Sequence, residues 1–409
     1  MILLLLLIAR IFANDIPEQV HVAVGAYPGL IQFTWSTRLS TPTSAVRIGL
    51  NPSYLKYYYG TSNTFTNGTN SWVIHTANAT LYPGATYMYQ VGCILTNFSQ
   101  VFKLTVPPST GSSSTYLIYA DLDIGLDGNL SWTEIGNRWP QLNIDAVIHM
   151  GDIAYDLSTD YGTWGDAFMN SIQPVASSVP YMVCVGNHEG DDNYVNYLAR
   201  FAMPNNQFYY TWASGYVRFL AIDTETIVQQ ASDLTEMIGY IQNVLNRTQA
   251  DKEAYPWLVV YGHRPFYCLS TQKKKSCGSE SRLLQSTLES LFYTYNVDLY
   301  VNGHVHNYER TTPVYQEKVM GSGGSGNVYI DPLATIYVTT GGIGADGNNY
   351  DIDTQGVPSW LAAQDGNLSY SVFTAFNATH LFWQQWETGK NKTSDEFWII
   401  KGSSAFAEQ

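Results

Sequence analysis

Charged residues are scarce in this chain of 409 residues, since Asp, Glu, Lys and Arg together make up 13% of it. Basic residues are the rarer class, with 20 Lys and Arg against 34 Asp and Glu, and the formal net charge is −14. An acidic chain repels nucleic-acid backbones, so we expect no nucleic-acid partner. Cysteine is also rare: the four cysteines include no Cys-x-x-Cys pair, so a zinc site built from thiolates is not predicted.

Long apolar segments are missing as well. The apolar run of residues 2–9 is too short to span a bilayer, and Ala13 stands before the polar residue Asn14. This arrangement is typical of a secretory signal peptide, which we predict for residues 1–13; a retained anchor or a buried helix is the alternative. No later segment reaches 18 apolar residues. We therefore expect a soluble mature protein without a membrane partner, either secreted or held in a lysosome or vacuole.

The N-glycosylation triplets and the cysteines also indicate the secretory pathway. Asn-x-Ser/Thr triplets are acceptors for N-linked glycans, which we expect on at least some of them. They occur at Asn67, Asn78, Asn97, Asn129, Asn246, Asn367, Asn377 and Asn391. Cys268 and Cys277 are close enough in sequence to form a disulfide in an oxidising compartment, whereas Cys184 lies in an apolar run and is predicted to be a buried thiol.

The hydrophobic pattern divides the chain into two parts, which together predict an α+β/α/β protein. Residues 14–108 show strand-like alternation and predict an all-β sandwich that resembles a fibronectin type III-like module, with His21 and His75 as ordinary strand residues. Residues 109–114 continue a Pro/Ser/Gly-rich stretch and are predicted to be a linker. In residues 115–409, short buried strands alternate with helices, one of which is predicted to start at Ser131. That alternation indicates a layered α/β domain.

Five segments of the second part share one design, in which an apolar strand is followed by a turn carrying metal-ligand residues. They are residues 119–123, 149–155, 185–189, 260–263 and 301–306. In open α/β sheets ligands bind beyond the carboxyl ends of the strands, so five such turns can converge on one site. A glycine before the ligand in four of them lets the chain bend sharply.

The candidate ligands are oxygen and nitrogen donors, which suit iron, zinc or manganese rather than a thiolate-binding metal. Seven side chains are too many for one first-row ion but suit two ions that share a bridging carboxylate. The candidates are Asp121, Asp152, Tyr155, Asn187, His263, His304 and His306. A single Gly-Asn-His or His-x-His motif is more often structural, and the prediction rests on all five turns occurring together.

The order Asp, Gly-Asp-x-x-Tyr, Gly-Asn-His-Glu, Gly-His and Gly-His-Val-His resembles the purple acid phosphatases, a branch of the metallophosphoesterases. Tyr155 is the telling residue, because other members of the superfamily commonly carry Asp-x-His in the first motif instead. Residues 17–21, residues 308–310 and residues 262–268 extend the resemblance, the last of these to the longer animal and protist branch. The resemblance implies a metallophosphoesterase-type α/β sandwich of two mixed sheets flanked by helices.

The same resemblance implies a role for each ligand. Asp121, Tyr155 and His306, with Asp152 as the bridge, would hold Fe(III). Asn187, His263 and His304 would complete the site of a divalent ion, which is Zn, Fe or Mn. His188 would face the substrate. The implied activity is the hydrolysis of phosphomonoesters at acidic pH by a metal-bound hydroxide, at a centre that keeps a net positive charge within an acidic protein.

Two departures from the family pattern leave alternatives open. Asp123 occupies the offset of the superfamily's first-motif histidine, so it is a second candidate beside Asp121. The plant enzymes carry a histidine pair after the fourth motif, whereas no histidine lies between His263 and His304 here. Arg264, Tyr267 or the lysines of residues 273–275 are the candidates to replace that pair.

Three functions remain open at this point. The leading hypothesis is a phosphomonoesterase, and the second is a phosphodiesterase or nucleotide pyrophosphatase that uses the same site. The third is a secreted binding glycoprotein without activity. The role of the β-sandwich and the formation of a homodimer are not determined by the sequence.

Overall fold

The computed structural model describes residues 16–270, 273–345, 352 and 356–402. The predicted signal peptide, residues 1–13, lies outside the described residues. Within the described ranges, no helix is both long enough and apolar enough to cross a bilayer.

The amino-terminal part is a sandwich of two four-stranded antiparallel sheets, as the alternating pattern predicts. Its strands are β1 Glu18–Val24, β2 Leu30–Thr37, β3 Ala45–Asn51, β4 Tyr54–Tyr59, β5 Thr61–Asn67, β6 Asn70–Thr80, β7 Thr86–Gly92 and β8 Phe102–Thr105. The sheets have the orders β1-β2-β6-β5 and β4-β3-β7-β8. Inward-facing residues of both sheets, such as Phe33 and Tyr89 with ring centroids 5.0 Å apart, form one core between them.

The second part contains sixteen described strands and seven described α-helices. The strands are β9 Ser114–Tyr119, β10 Ala146–Met150, β11 Tyr181–Cys184, β12 Tyr210–Ser214, β13 Val217–Ala221, β14 Trp257–Tyr261, β15 Leu299–Asn302, β16 Tyr308–Thr311, β17 Val314–Tyr315, β18 Lys318–Val319, β19 Val328–Ile330, β20 Ile336–Thr340, β21 Leu361–Asp365, β22 Ser369–Ala375, β23 His380–Glu387 and β24 Lys392–Ile400. The helices are α1 Leu126–Leu142, α2 Thr163–Ala176, α3 Val195–Arg200, α4 Thr224–Gln229, α5 Leu234–Ala250, α6 Ser281–Leu284 and α7 Ser290–Thr294.

Two seven-stranded mixed sheets organise this part, with the orders β11-β10-β9-β22-β23-β24-β19 and β12-β13-β14-β15-β20-β16-β21. Strands β9, β10 and β11 are parallel neighbours in one sheet, and β13, β14, β15 and β20 are parallel neighbours in the other. The inner faces of the sheets meet in a buried aromatic core, where Tyr116 lies 4.8 Å from Phe219 and 4.9 Å from Phe373 between ring centroids. Helices α1 and α2 add to this core, and α5 packs on the second sheet. The predicted fold class is confirmed.

One helix start was predicted wrongly. Helix α1 begins at Leu126 after Gly125, five residues before the predicted start at Ser131. The Ser131 hydroxyl is buried within the helix and lies 3.0 Å from the Thr388 hydroxyl of the loop after β23. In the sequence, a serine that bonds to a distant residue has the same pattern as a serine that caps a helix. In both cases a short polar side chain stands beside an apolar helix face.

The two parts are joined by a buried polar cluster around Asp166 of α2. The carboxylate accepts hydrogen bonds from Gln19, Arg38 and Trp72 of the sandwich, at 2.9, 2.6 and 2.7 Å. Arg200, which is 1% exposed, donates to the same carboxylate at 2.9 Å from the second part. Because an unpaired buried charge is costly, these bonds hold the sandwich in one position against α2.

His21 and His75 lie in strands β1 and β6, as predicted, and both are buried. His75 lies between the hydroxyls of Ser44 and Thr37, at 2.8 and 2.9 Å from its two ring nitrogens. It also stacks on Trp35 with ring centroids 5.1 Å apart. Burial disfavours the imidazolium and lowers the pKa of His75 to about 4, and burial lowers the pKa of His21 likewise.

We expect His75 to make the stability of the sandwich depend on pH. The unfolded chain protonates this histidine below about pH 6.5, whereas the folded protein keeps it neutral down to a pH of about 4. Stability is therefore lost as the pH falls through this window. His75→Gln should weaken the pH dependence by up to about 1.4 kcal/mol per pH unit, measured by urea denaturation at several pH values. His380→Gln, which changes a partly exposed histidine, is the control. If the stability of His75→Gln depends on pH as steeply as that of the wild type, the assignment is contradicted.

Candidate metal centre

All seven predicted ligands lie at one edge of the two sheets. Strands β9, β10 and β11 end just before the turns that carry Asp121, Asp152 and Asn187, and β14 and β15 end just before His263 and His304. Because parallel strands end at the same edge, these five turns meet where the sheets face each other. Tyr155 and His306 follow two or three residues later on the second and fifth of the turns.

The turns have backbone conformations that only certain residues tolerate. Asp121, Asp152 and His304 have positive φ values of 65°, 51° and 68°, which cost free energy in residues other than glycine. The glycine beside His304 is required by close packing, because a Cβ on Gly303 would lie 2.4 Å from Asp121 Oδ2. A Cβ on Gly186 would lie 2.3 Å from Asp152 Oδ1. The glycines of the motifs therefore let the chain approach the ligand oxygens.

Three of the ligands form a first group around the Tyr155 hydroxyl. This hydroxyl donates to Asp121 Oδ1 at 2.9 Å and lies 2.9 Å from His306 Nε2. Asp121 is fully buried, and its second oxygen accepts the backbone N–H of His304 at 2.8 Å. Burial and the nearby Asp121 carboxylate raise the pKa of Tyr155 well above its usual value, so a tyrosinate here needs a strong positive charge beside it.

Four further ligands form a second group around His263. Its Nε2 lies 3.1 Å from Asp152 Oδ2, 3.3 Å from Asn187 Oδ1 and 3.2 Å from His304 Nδ1. The opposite ring nitrogen, Nδ1, is 2.9 Å from the carbonyl oxygen of Met150. A carbonyl oxygen only accepts, so Nδ1 carries a proton and Nε2 of the neutral ring presents a lone pair.

This second group fits a cation. His263 Nε2 faces the oxygens of Asp152 and Asn187, and buried acceptor oxygens gathered around one atom favour a positive charge there, either a proton on the ring or a bound cation. The charges of the pocket also favour a cation. Burial lowers the pKa of His263, but Asp152 and other carboxylates outweigh this effect and raise the pKa to about 9. The donor types match those preferred by zinc, iron and manganese.

Glu189 is a functional residue to which the sequence assigned no role. It is 4% exposed, and its carboxylate accepts the backbone N–H groups of Asp152, Ile153 and Gly186 at 2.9, 2.7 and 2.7 Å. It therefore fixes the turns after β10 and β11 relative to each other. Its place directly after the third-motif histidine was the only available signal.

His188 lies beside the ligands but is held by a different acid. Its Nδ1 is 2.5 Å from Asp156 Oδ1, and its Nε2 is 3.9 Å from Asp152 Oδ2. Its side chain is 31% exposed, so a ligand can reach it. Burial lowers the pKa of His188, but Asp156 and Asp152 overcome it and raise the pKa to about 9. The sequence did not single out Asp156.

The two first-motif aspartates have different surroundings. Asp123 Oδ1 accepts the backbone N–H of Ile124 at 2.7 Å and lies 3.2 Å from Trp164 Nε1. These contacts belong to the start of α1 and to α2, whereas Asp121 contacts Tyr155 and the turn of His304.

The candidates for the missing histidine pair lie in different places. Arg264 is paired with Glu225 at 2.6 and 2.8 Å and with Glu280 at 2.6 Å, and the Tyr267 hydroxyl donates to Glu289. Lys275, whose side chain is 80% exposed, pairs with Glu280 at 2.8 Å. Arg264 and Tyr267 are therefore committed to buried acids, and the lysines of residues 273–275 lie at or near the surface.

Comparison with known proteins identifies the family. Residues 17–106 match the purple acid phosphatase N-terminal domain, residues 115–308 the calcineurin-like phosphoesterases, and residues 334–396 the iron/zinc purple acid phosphatase-like carboxyl-terminal domain. Acid phosphatase type 7 of Homo sapiens is 31% identical over 94% of this chain and 91% of its own length. The chain belongs to the purple acid phosphatases. It is a phosphatase of the metal-dependent phosphoesterase class, as predicted.

Two further comparisons agree with this family assignment. The zebrafish (Danio rerio) acid phosphatase type 7 is 32% identical over 94% of this chain and 91% of its own length. The purple acid phosphatase PPD1 from yellow lupin (Lupinus luteus) seeds has the same fold, with a TM-score of 0.87 over 97% of this chain and 76% of that chain, at 23% identity. The match extends over the amino-terminal sandwich.

The contact between His188 and Asp156 leads to a prediction. If His188 transfers a proton or a hydrogen bond to the substrate, His188→Ala should lower kcat/KM by about 10²- to 10⁴-fold. Asp156→Asn should lower kcat/KM by a smaller factor, because the ring keeps its place but loses the carboxylate that orients it. Steady-state kinetics on an aryl phosphate would measure both effects.

Asp191→Asn is the matched control for this test. Asp191 Oδ2 lies 4.0 Å from the same ring nitrogen, but its side chain is 67% exposed. Equal effects of Asp156→Asn and Asp191→Asn would show that the short contact between His188 and Asp156 has no particular role.

Proposed function

We propose that this phosphatase hydrolyses phosphate monoesters at acidic pH with a binuclear centre of Fe(III) and a divalent ion, Zn, Fe or Mn. The observation that carries the proposal is the meeting of seven oxygen- and nitrogen-donor side chains in one pocket. The human and zebrafish relatives are named as acid phosphatases, which supports the acidic pH range.

The two groups of ligands support separate places for the two ions. Asp121, Tyr155 and His306 are hard or borderline donors gathered on one phenolic oxygen, and they would hold Fe(III). Asn187, His263 and His304 would hold the divalent ion. Asp152 would bridge the two, since it is 1% exposed, its turn also carries Tyr155 and accepts the backbone N–H of Asp121 at Gly151, and its carboxylate lies 3.1 Å from His263.

Each part of the pocket then has a chemical task. When bound, the two ions would neutralise the charge of the phosphate ester and lower the pKa of water strongly. His188 Nδ1–H donates to Asp156, which turns Nε2 towards the ligand pocket. With a raised pKa, Nε2 holds a proton at acidic pH and can donate it to a phosphoryl oxygen or to the leaving oxygen. Glu189 keeps Asp152 and His188 on fixed turns while this happens.

The chain is proposed to work in the secretory pathway, either secreted or in a lysosome or vacuole, and to carry N-linked glycans. Six of the eight acceptor asparagines are exposed: Asn78, Asn129, Asn246, Asn367, Asn377 and Asn391. The disulfide between Cys268 and Cys277 agrees with an oxidising compartment, and Cys184 is a buried free thiol.

The proposed organisation of the mature chain follows from the same features. Residues 14–108 form the amino-terminal domain, residues 109–114 the linker, and residues 115–409 the catalytic domain. In this division every proposed ligand and His188 belong to the catalytic domain, and the amino-terminal domain supports α2 through Asp166.

A comparison of ester classes tests the proposal. The purified glycoprotein should turn over a phosphomonoester with a higher kcat/KM than a phosphodiester, more so at acidic than at neutral pH, and chelation of its metal ions should abolish both activities. Faster turnover of the diester would favour a phosphodiesterase or nucleotide pyrophosphatase. Absence of turnover in fully metal-loaded protein would favour the non-catalytic binding glycoprotein.

A further inference from the structure

A serine that no motif contains lies directly behind one of the proposed metal ligands. Ser276 is 7% exposed, and its Oγ is 2.7 Å from Nε2 of His304, the ring nitrogen that points away from His263. The same hydroxyl donates to Glu280 Oε2 at 2.9 Å. With its proton directed to Glu280, the oxygen of Ser276 has lone pairs to offer His304.

Among the described residues that contact His304 Nε2, Ser276 is the one that can accept a hydrogen bond. Arg264 Nη1 also lies near it, at 3.2 Å, but a guanidinium has no lone pair and can only donate. One of the two protons on that Nη1 is directed to Glu280 Oε2 at 2.6 Å. In the tautomer that carries its proton on Nε2, His304 donates to Ser276, and Nδ1 is left with its lone pair.

That lone pair points to the proposed divalent site. His304 Nδ1 lies 3.2 Å from His263 Nε2, the atom around which Asp152 and Asn187 also gather. Metal-binding histidines commonly donate their second N–H to a fixed acceptor, which selects the tautomer and the ring orientation. Ser276 has the position and the hydrogen-bond direction for this task.

The Cys268–Cys277 disulfide fixes the position of Ser276. Cys277 is its neighbour in sequence, and the bond to Cys268 ties this point of the chain to the segment that follows β14 and carries His263. The backbone N–H of Ser270 lies 3.4 Å from Cys277 Sγ, and the Ser281 hydroxyl donates to the carbonyl oxygens of Ser276 and Pro265 at 2.7 and 2.9 Å. The covalent bond and these contacts fix the serine relative to both imidazoles.

We propose that Ser276, held in place by the Cys268–Cys277 disulfide, is a positioning residue that selects the metal-binding tautomer of His304 and thereby sets the affinity of the enzyme for its divalent ion. This inference rests on the proposed function, because it assumes that His304 binds that ion through Nδ1. It assigns a role to a segment in which no metal ligand was predicted.

The test measures metal affinity rather than turnover. The full-length secreted protein, stripped of its divalent ion by dialysis against a chelator, is titrated with Zn²⁺ in competition with a chromophoric chelator. Ser276→Ala should bind Zn²⁺ about 10- to 100-fold more weakly than the wild type, the usual effect of removing such a partner. Ser276→Thr keeps the hydroxyl and should retain affinity close to that of the wild type.

Ser279→Ala is the matched control. Ser279 lies three residues further on, is exposed, and reaches only the backbone oxygen of Lys275 at 3.5 Å, so its removal should leave Zn²⁺ affinity unchanged. The double variant Cys268→Ser/Cys277→Ser should weaken binding in the same direction as Ser276→Ala. Adding Ser276→Ala to that double variant should weaken it little further, because both changes act through one contact.

The outcomes separate this inference from the function on which it rests. If the wild type binds Zn²⁺ and folded Ser276→Ala binds it equally well, the role of Ser276 is wrong while the metal centre stands. If Ser276→Ala does not fold, the disulfide double variant gives the answer, and unchanged affinity there contradicts the proposal. Failure of the wild-type protein to bind Zn²⁺ or another divalent ion at this site would overturn both.

Discussion

The structure depends on one constraint: electron-pair donors from five strand ends are brought together where no water can separate them. Asp152, His263 and His304 are all less than 5% exposed, and the oxygens and nitrogens of their side chains lie about 3 Å apart. Asp121 is equally buried and contacts the Tyr155 hydroxyl and the backbone N–H of His304. Such an arrangement is unfavourable in a folded protein unless positive charge lies within it. Glycines, hydrogen bonds and contacts with the amino-terminal sandwich surround the pocket and hold these groups together.

The contacts that hold the pocket together lie at three distances from it. The glycines beside the ligands allow the turns to touch, and Glu189 joins two of the turns through three backbone N–H groups. The ring orientations of His263 and His304 are fixed from behind by Met150 and Ser276. Further out, Asp166 ties the sandwich to α2, the helix that follows the loop of Tyr155 and Asp156.

The layered fold and the set of seven candidate ligands could both be predicted from the sequence, because both depend on local signals. A buried strand followed by Gly and a metal-ligand residue is visible in a short window, and five repetitions in order are informative together. Tyr155 in particular could be placed from its spacing after Asp152. The helix start at Ser131 was wrong because a residue's partner, here Thr388, is distant in sequence.

The same limit explains which site residues were missed. Ser276 is separated from His304 by 28 positions, and Asp156 from His188 by 32, so neither contact leaves a pattern in the sequence. The different surroundings of Asp121 and Asp123 likewise needed the fold, since Trp164, which contacts Asp123, is 41 positions away in sequence. Residues that act on a ligand from behind are defined by the packing of the two sheets rather than by motifs.

The most direct test of the metal centre is the visible spectrum of the purified protein, measured with metal stoichiometry on the same sample. We expect one iron and one further metal ion per chain, with a broad charge-transfer band from a Tyr155 phenolate on Fe(III). The band should be lost in Tyr155→Phe while the protein remains folded. A colourless wild-type protein that carries two zinc or two manganese ions would contradict the ferric site.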